Sequence, residues 1–180
     1  MANDRRRRFA GLAAALMALG VLGVWLAAPQ LRLEVVKCES GARLLSMPVE
    51  SGVEFSVWFF HSYDRSYFEE HYRVRPAGHL LLSRMTFKSS LNGQGFEMGT
   101  YHPRPDGSAE LSGINREIDE IVFRLGSPDL ANHTLIIQGR RLRLLDYAEA
   151  GDLLCIHLVT GGRWQGLRDS RVFGLGKDNR

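Results

Sequence analysis

The chain has 180 residues and a formal net charge of +3, from 23 Lys and Arg against 20 Asp and Glu. The excess charge lies at the amino terminus: without the four arginines and one aspartate of residues 1–30, 19 charges of each sign remain. A neutral body is not the footprint of a nucleic-acid-binding protein, so we expect no nucleic-acid partner. The length allows one domain with a hydrophobic core rather than two.

Residues 9–28, FAGLAAALMALGVLGVWLAA, form an apolar stretch without a charged side chain. A helix of this length rises about 30 Å, which matches the hydrocarbon core of a bilayer. The arginines at positions 5–8 favour a cytoplasmic location for residues 1–8. The sequence therefore predicts a single-pass transmembrane anchor at 9–28 in the inner membrane, followed by an extracytoplasmic (periplasmic) domain at 31–160.

A cleaved signal peptide is the alternative for the same stretch. Its apolar segment normally spans about 7–15 residues and ends at a small-x-small site. Here the run is longer, and cleavage would leave Pro29 directly after the cut or place Trp25 where a small residue is needed. We favour the uncleaved anchor, and both interpretations predict export.

The two cysteines, Cys38 and Cys155, fall in strand-like segments near the two ends of the exported domain. In an oxidising compartment a disulfide between them would close a long loop. Free buried cysteine is also a common core residue, and we weigh this alternative slightly above the bridge. Neither a CxxC motif nor a Cys/His spacing indicates zinc.

Beyond the anchor the apolar period is close to two, which is typical of β-strands. The predicted strands are residues 31–36, 42–49, 53–61, 68–75, 79–87, 120–125, 133–138, 140–145 and 152–159. Residues 89–110 are rich in Gly, Pro, Asn and Ser and are predicted to be loop, and residues 161–180 to be a flexible tail. Many short strands between turns predict an all-β fold, an antiparallel sandwich or barrel-like domain.

The segment FFHSYDRSYFEEHYRV, residues 59–74, predicts a hairpin with polar groups on its inner face. Strand alternation sends His61 to the apolar face and places Glu70 between Phe68 and Tyr72 on the facing strand. We predict a pairing with His61 opposite Phe68, which makes His61 and Glu70 diagonal neighbours. From the hairpin alone, a mutually satisfied buried pair is favoured over a ligand or metal site.

Further polar residues follow among apolar ones later in the chain. His133 alternates with Leu135 and Ile137, and Arg124 shares its side of a strand with Val122, so that Arg124 could pair with Glu70 or an anionic ligand. A satisfied core histidine is the ordinary interpretation for His133 alone, but the accumulation favours a polar pocket. The predicted pocket residues are His61, Ser62, Glu70, Asn115, Arg116 and His133.

The order of these motifs resembles the bacterial family called domain of unknown function 1850. The motifs are His-Ser at 61–62, Glu70 in the next strand, a Gly-x-Gly loop with Gly93 and Gly95, Ile-Asn-Arg at 114–116, and Asn-His-Thr-Leu at 132–135. The resemblance covers about residues 31–159, although the loop SSLNGQGFEMG lacks the proline usual in the family. It implies a small extracytoplasmic β-domain, often encoded beside TRAP-type transporters of the TAXI group.

Three functions and a purely structural role are weighed. The favoured one is a membrane-anchored accessory or binding module that contacts a solute, a solute-binding protein or a TRAP transporter. A small hydrolase-like enzyme with His61, Ser62 and Glu70 is less favoured, because neighbours along a strand point to opposite faces. A metal site from His61, Glu70 and His133 has suitable ligand types but no close-spaced motif. The sequence indicates no organic cofactor.

Overall fold

The computed structural model describes residues 2–61, 65–88 and 98–164. The chain divides into two compact units, Met1–Gln30 with Thr160–Arg180, and Leu31–Val159. The first unit contains the helix α1, Ala2–Ala27, in which most of the predicted anchor falls. Within the described residues, no helix is both long enough and apolar enough to cross a bilayer.

Eleven strands follow α1 in the described part of the chain. They are β1 Pro29–Lys37, β2 Arg43–Pro48, β3 Glu54–His61, β4 Ser66–Val74, β5 Leu80–Phe87, β6 Thr100–Pro103, β7 Ala109–Ile118, β8 Glu120–Arg124, β9 Ala131–Ile137, β10 Arg140–Arg143 and β11 Leu153–Gly162. Short 3-10 turns occupy Pro76–Gly78 and Leu144–Asp146.

The strands form two mostly antiparallel sheets. One has the strand order β2-β1-β11-β8 and the other the order β10-β9-β3-β4-β5-β7-β6. The described strands do not close into a barrel. The all-β prediction is confirmed. Of the two predicted architectures, an antiparallel sandwich and a barrel-like domain, the barrel is wrong.

Two strands are missing from the sequence prediction. The predicted loop at 89–110 contains β6 and the first residues of β7. In β7, Gly113 and Asn115 have left-handed φ angles of 71° and 48°, where the register with β5 shifts. Such a bulge interrupts the alternation from which a strand is predicted. The predicted flexible tail begins inside β11, and residues 165–180 lie outside the described part.

The apolar core of the β unit draws on both sheets. Fully or almost fully buried side chains include Leu33, Val35, Leu154 and Ile156 from the smaller sheet, and Phe55, Val57, Tyr72, Leu80, Phe87, Leu111 and Leu135 from the larger one. A ring contact between His133 of β9 and Phe123 of β8, with centroids 4.5 Å apart, connects the two sheets.

A buried polar layer runs along β1 and β2. Arg32, only 1% exposed, donates from Nε to Ser46 Oγ at 2.8 Å. Ser46 Oγ donates in turn to Glu34 Oε1 at 2.7 Å, and Arg43 pairs with the same oxygen at 3.2 Å. Because Arg32 and Glu34 are buried as well as Leu33 and Val35, both faces of β1 are covered. Alternation alone does not predict that the polar face is buried.

Cys38 and Cys155 form a disulfide, so the free-thiol alternative is wrong. Their Cα atoms are 5.3 Å apart, and 117 positions of sequence separate them. The bond sits where the end of β1 meets β11, because the backbone N–H of Cys38 donates to Leu153 O at 2.9 Å. It therefore ties the first strand of the β unit to the last.

Candidate functional site

The β3–β4 hairpin has the faces that alternation predicts but a different register. Cross-strand pairing places Phe68 opposite Phe59, Glu70 opposite Val57, and His61 opposite Ser66. The predicted pairing is therefore wrong by two residues. His61 and Glu70 lie four residues apart along the strands, roughly 13 Å, which is beyond diagonal contact.

Glu70 is half-buried and held by a tyrosine. The Tyr72 hydroxyl donates a hydrogen bond of 2.6 Å to Glu70 Oε2. Burial raises the pKa of the Glu70 carboxyl, and the hydrogen bond opposes that rise. Tyr72 is 3% exposed and stacks on Phe55, and its pKa is raised by burial and by the Glu70 charge. A protonatable carboxyl group is thus fixed on the apolar side of the sheet.

Arg116 lies on the same face as this pair. In the register, Tyr72 is opposite Leu82, which is opposite Arg116. The Arg116 charge counteracts part of the rise in the Tyr72 pKa, so the guanidinium is within electrostatic range of the phenol. The Arg116 side chain is exposed and makes no hydrogen bond or ion pair to a described residue. We call Glu70, Tyr72 and Arg116 the Glu70 site.

Asn115, the predicted pocket residue beside Arg116, has a backbone role. It is exposed, and its side-chain amide donates to Gly113 O at 3.3 Å. With its left-handed φ of 48° it forms part of the β7 bulge. The structure does not bring its amide to Glu70.

The two predicted histidines approach each other through an aromatic ring. The Phe59 centroid lies 6.5 Å from the His61 ring and 5.3 Å from the His133 ring. His61 is also 6.3 Å from Phe68, and His133 reaches Phe123 of the other sheet. We call Phe59, His61, His133 and Phe123 the aromatic–histidine cluster. It is separate from the Glu70 site on the same inner face.

His133 has the surroundings of a core histidine. It is 7% exposed, and burial lowers its pKa to about 4. The backbone N–H of Gly126 donates to His133 Nδ1 at 3.4 Å. The ring is therefore neutral at physiological pH, with its proton on Nε2.

A strained turn positions His133. Ala131 and Asn132 have left-handed φ angles of 71° and 41°, and the pairing with β3 shifts at this point. The Asn132 side chain is held by Arg143, whose Nε donates to Asn132 Oδ1 at 2.8 Å. The motif Asn-His-Thr-Leu is thus a bulge that aims an imidazole into the core.

We expect Gly126→Ala to lower the free energy of unfolding by about 1–3 kcal/mol, the usual cost of overpacking. The added methyl would lie 2.0 Å from the Leu130 carbonyl oxygen and 2.6 Å from Ala131 Cβ. Chemical denaturation measures the change. Gly23→Ala in α1 is the control, because nothing lies within 4 Å of its added Cβ. A Gly126→Ala chain as stable as this control would contradict the close approach.

The outer face of the hairpin, predicted to be solvent-exposed, is partly covered. Ser56 Oγ donates to Glu69 Oε1 at 2.5 Å, and His71 Nε2 lies 3.0 Å from Thr86 Oγ1. Glu69 and His71 are half-buried. Burial, and then the charge of a neighbouring arginine, lowers the pKa of His71.

Three predicted site residues, Ser62, Gly93 and Gly95, lie outside the described residues. Arg124 lies on the outward face of β8, where its NH1 donates to Gly151 O at 2.6 Å. The prediction that Arg124 faces inward as a partner for Glu70 is wrong.

The inner-face groups do not form a metal centre among the described residues, which contain no set of three His, Cys, Asp or Glu able to hold an ion. The predicted ligands are divided: His61 and His133 belong to the aromatic–histidine cluster and Glu70 to the Glu70 site. The same separation means that Glu70 does not orient His61 as a hydrolase would need. What the Glu70 site offers is hydrogen bonding and charge for a polar group.

A protein-family model matches residues 55–144, half of the chain, and its family is described as a domain of unknown function, DUF1850. The chain belongs to the DUF1850 family. The DUF1850 match runs from β3 to the 3-10 turn after β10 and includes the whole Glu70 site. No curated protein and no solved structure matches the chain.

Two polar features of this DUF1850 chain are not predicted from its sequence. Tyr72 is expected only as an apolar inner residue, although its position two residues after Glu70 on one strand was a usable signal. The buried layer of Arg32, Glu34 and Ser46 has no comparable signal, because polar residues alternating in a strand ordinarily face solvent.

Proposed function

We propose that this protein is a membrane-anchored extracytoplasmic binding module, an accessory to solute uptake by a TRAP-type transporter of the TAXI group. The single observation that carries the binding role is the Glu70 site, a half-buried carboxyl held at 2.6 Å by Tyr72, whose phenol lies within electrostatic range of the exposed Arg116. The link to TRAP transport is supported by what resemblance to the family implies.

The anchor is supported by the amino-terminal sequence. Residues 9–28 carry no charge, and four arginines precede them at 5–8. Large apolar side chains of α1 are exposed on all sides of the helix, namely Leu16, Met17, Leu19, Val21, Leu22, Val24 and Trp25. Apolar side chains exposed all round a helix favour a lipid environment. The disulfide agrees with an oxidising compartment outside the cytoplasm.

The binding role is inferred from the free energy that it costs to desolvate the Glu70 carboxyl. A carboxyl group on an apolar face is desolvated, and an apolar residue of similar size would pack there without that penalty. The Tyr72 hydroxyl holds one oxygen, while Arg116 offers planar N–H groups that can bind a carboxylate bidentately. We infer that the site takes a carboxylate-bearing solute or an acidic group of the solute-binding protein.

Solute uptake in a strain lacking the gene tests this proposal. We expect TAXI-type uptake to fall on deletion and to return with the wild-type chain, but not with Glu70→Gln or Arg116→Gln. Glu117→Gln, an exposed change on the strand that carries Arg116, is the matched control and should restore uptake. Full uptake with both site variants, or no effect of the deletion, would contradict the proposal.

We expect Glu70→Gln to stabilise the fold at neutral pH. The folded state raises the pKa of Glu70 above its unfolded value of 4.5 and so binds a proton more tightly. Stability is therefore fullest below pH 4.5 and falls as the pH rises through the folded pKa. Glutamine keeps an acceptor for Tyr72 and removes this loss. Denaturation curves at several pH values measure it, and a Glu70→Gln chain less stable than wild type at pH 7 would show that the carboxylate serves the fold.

A further inference from the structure

After the last strand, the chain returns to the end of α1. The guanidinium carbon of Arg163 lies 4.9 Å from the centroid of the Trp25 ring. Gly162 allows this approach, because a Cβ there would come within 2.6 Å of the Trp164 ring and 3.3 Å of Leu26 O. Gly162 and Arg163 are thus packed against the last turn of the helix, and the Trp164 ring lies beside Gly162. We call Trp25, Arg163 and Trp164 the Trp–Arg cluster.

Arg163 has unused hydrogen-bonding capacity. Its Nε is buried and has no hydrogen-bond partner among the described residues. A guanidinium stacked on an aromatic ring keeps its N–H groups in its own plane, directed past the ring edge. Because the buried Nε is out of reach of an outside ligand, the two terminal NH2 groups are the donors that would bind the oxygens of a phosphate.

The surroundings of Arg163 match a membrane interface. Trp25 and Trp164 are 51% and 45% exposed. Beside Trp25, one face of α1 carries an open apolar groove of about 600 Å³, lined by Ala14, Met17, Ala18, Val21, Leu22 and Trp25. Tryptophan is enriched where acyl chains meet headgroups, and arginine keeps its charged end at that level.

The position of the cluster along the helix agrees with this placement. Trp25 follows Arg8 by 17 residues, roughly 26 Å of helix. That rise is close to the thickness of the hydrocarbon core, about 30 Å. With the arginines at one interface, Trp25 therefore reaches the other.

We propose that the Trp–Arg cluster is a phospholipid-headgroup site at the outer surface of the membrane, in which Arg163 binds the lipid phosphate and Trp164 lies among the headgroups. This inference rests on the proposed anchor and adds a second lipid contact, made by the segment after β11. It fixes the level at which residues 162–164 meet the bilayer.

The experiment uses the full chain reconstituted in phosphatidylcholine vesicles and in vesicles of a phosphate-free galactolipid. One version retains Trp164 as its sole tryptophan (Trp25→Phe, Trp58→Phe), and another retains Trp25 (Trp58→Phe, Trp164→Phe). Quenching by lipids brominated near the headgroup or near the chain end reports the depth of each ring. Arg163→Gln is then introduced into both versions, with Arg75→Gln, at an exposed arginine of the β unit, as the matched control.

In phosphatidylcholine we expect the headgroup-proximal bromines to quench Trp164 most strongly. Arg163→Gln should lower this quenching to the level found with the phosphate-free lipid, because the lipid phosphate then has no guanidinium to bind, and Arg75→Gln should leave it unchanged. In the galactolipid, the wild-type chain should behave like Arg163→Gln. Equal quenching of Trp164 with and without Arg163, or in both lipids, would overturn the phosphate site.

The sole-Trp25 version separates this inference from the anchor. If lipid quenches Trp25 but not Trp164, the anchor stands and the headgroup site is wrong. This result is also expected if a protein, and not lipid, covers the Trp–Arg cluster. If lipid quenches neither ring and alkaline carbonate releases the chain from the vesicles, both proposals are wrong.

Discussion

Replacing Cys38 and Cys155 together by serine is expected to lower the free energy of unfolding by about 4–5 kcal/mol. The bond closes a loop in which the two cysteines are 117 positions apart. A loop of that length leaves the unfolded chain far fewer conformations than it has without the bond. Denaturant titration of the purified chain, oxidised and reduced, measures the difference.

The single variants supply the control. Because either one removes the bond, Cys38→Ser and Cys155→Ser should each destabilise about as much as the double variant, and the reduced wild type should match them. Equal unfolding midpoints for the oxidised wild type and the double variant would contradict a stabilising bridge.

The second large effect is a loss of stability in mild acid through His133. Its pKa falls from 6.5 in the unfolded chain to about 4 in the fold, because burial disfavours the charged ring. The unfolded state therefore takes up the proton first, so the contribution of His133 is complete above pH 6.5 and is lost as the pH falls through 4. The loss over that window is roughly 3 kcal/mol, and denaturation at a series of pH values measures it.

His133→Leu isolates this contribution from the other titrating groups. His71, whose pKa is also lowered, adds a loss of the same sign, whereas Glu70 acts in the opposite direction. At pH 7 the variant should lose about 1–3 kcal/mol, because the Gly126 N–H is left without its acceptor. Between pH 6.5 and 4 its stability should fall less than that of wild type. Parallel pH profiles would contradict a buried neutral imidazole.

The hairpin shows what alternation can and cannot predict. The inner position of Glu70 follows from the period of two, and the structure has it on that face. The register does not follow, because a shift by two residues leaves every side chain on the same face. In a hairpin the turn geometry fixes the register. Residues 62–64 lie outside the described residues, and Arg65, with a left-handed φ of 49°, directly precedes Ser66, which pairs with His61.

For similar reasons, the sequence predicts some residues of the candidate site but not how the structure groups them. Glu70 stands out because it is a carboxylate between two aromatic residues of one strand, and the structure brings Arg116 to the same face. The grouping of His61 with His133 away from Glu70 depends on the order β9-β3-β4, which no local pattern encodes. The disulfide likewise depends on β1 and β11 being neighbours, so spacing along the chain left both alternatives open.

The central claim is that the carboxyl of Glu70 is kept for binding and not for folding. Solute uptake by the deletion strain complemented with Glu70→Gln, with the folded amount of the variant measured in the same cells, tests it most directly. We predict that the variant folds at least as well as wild type and fails to restore uptake. Normal uptake by a well-folded Glu70→Gln chain would contradict the claim.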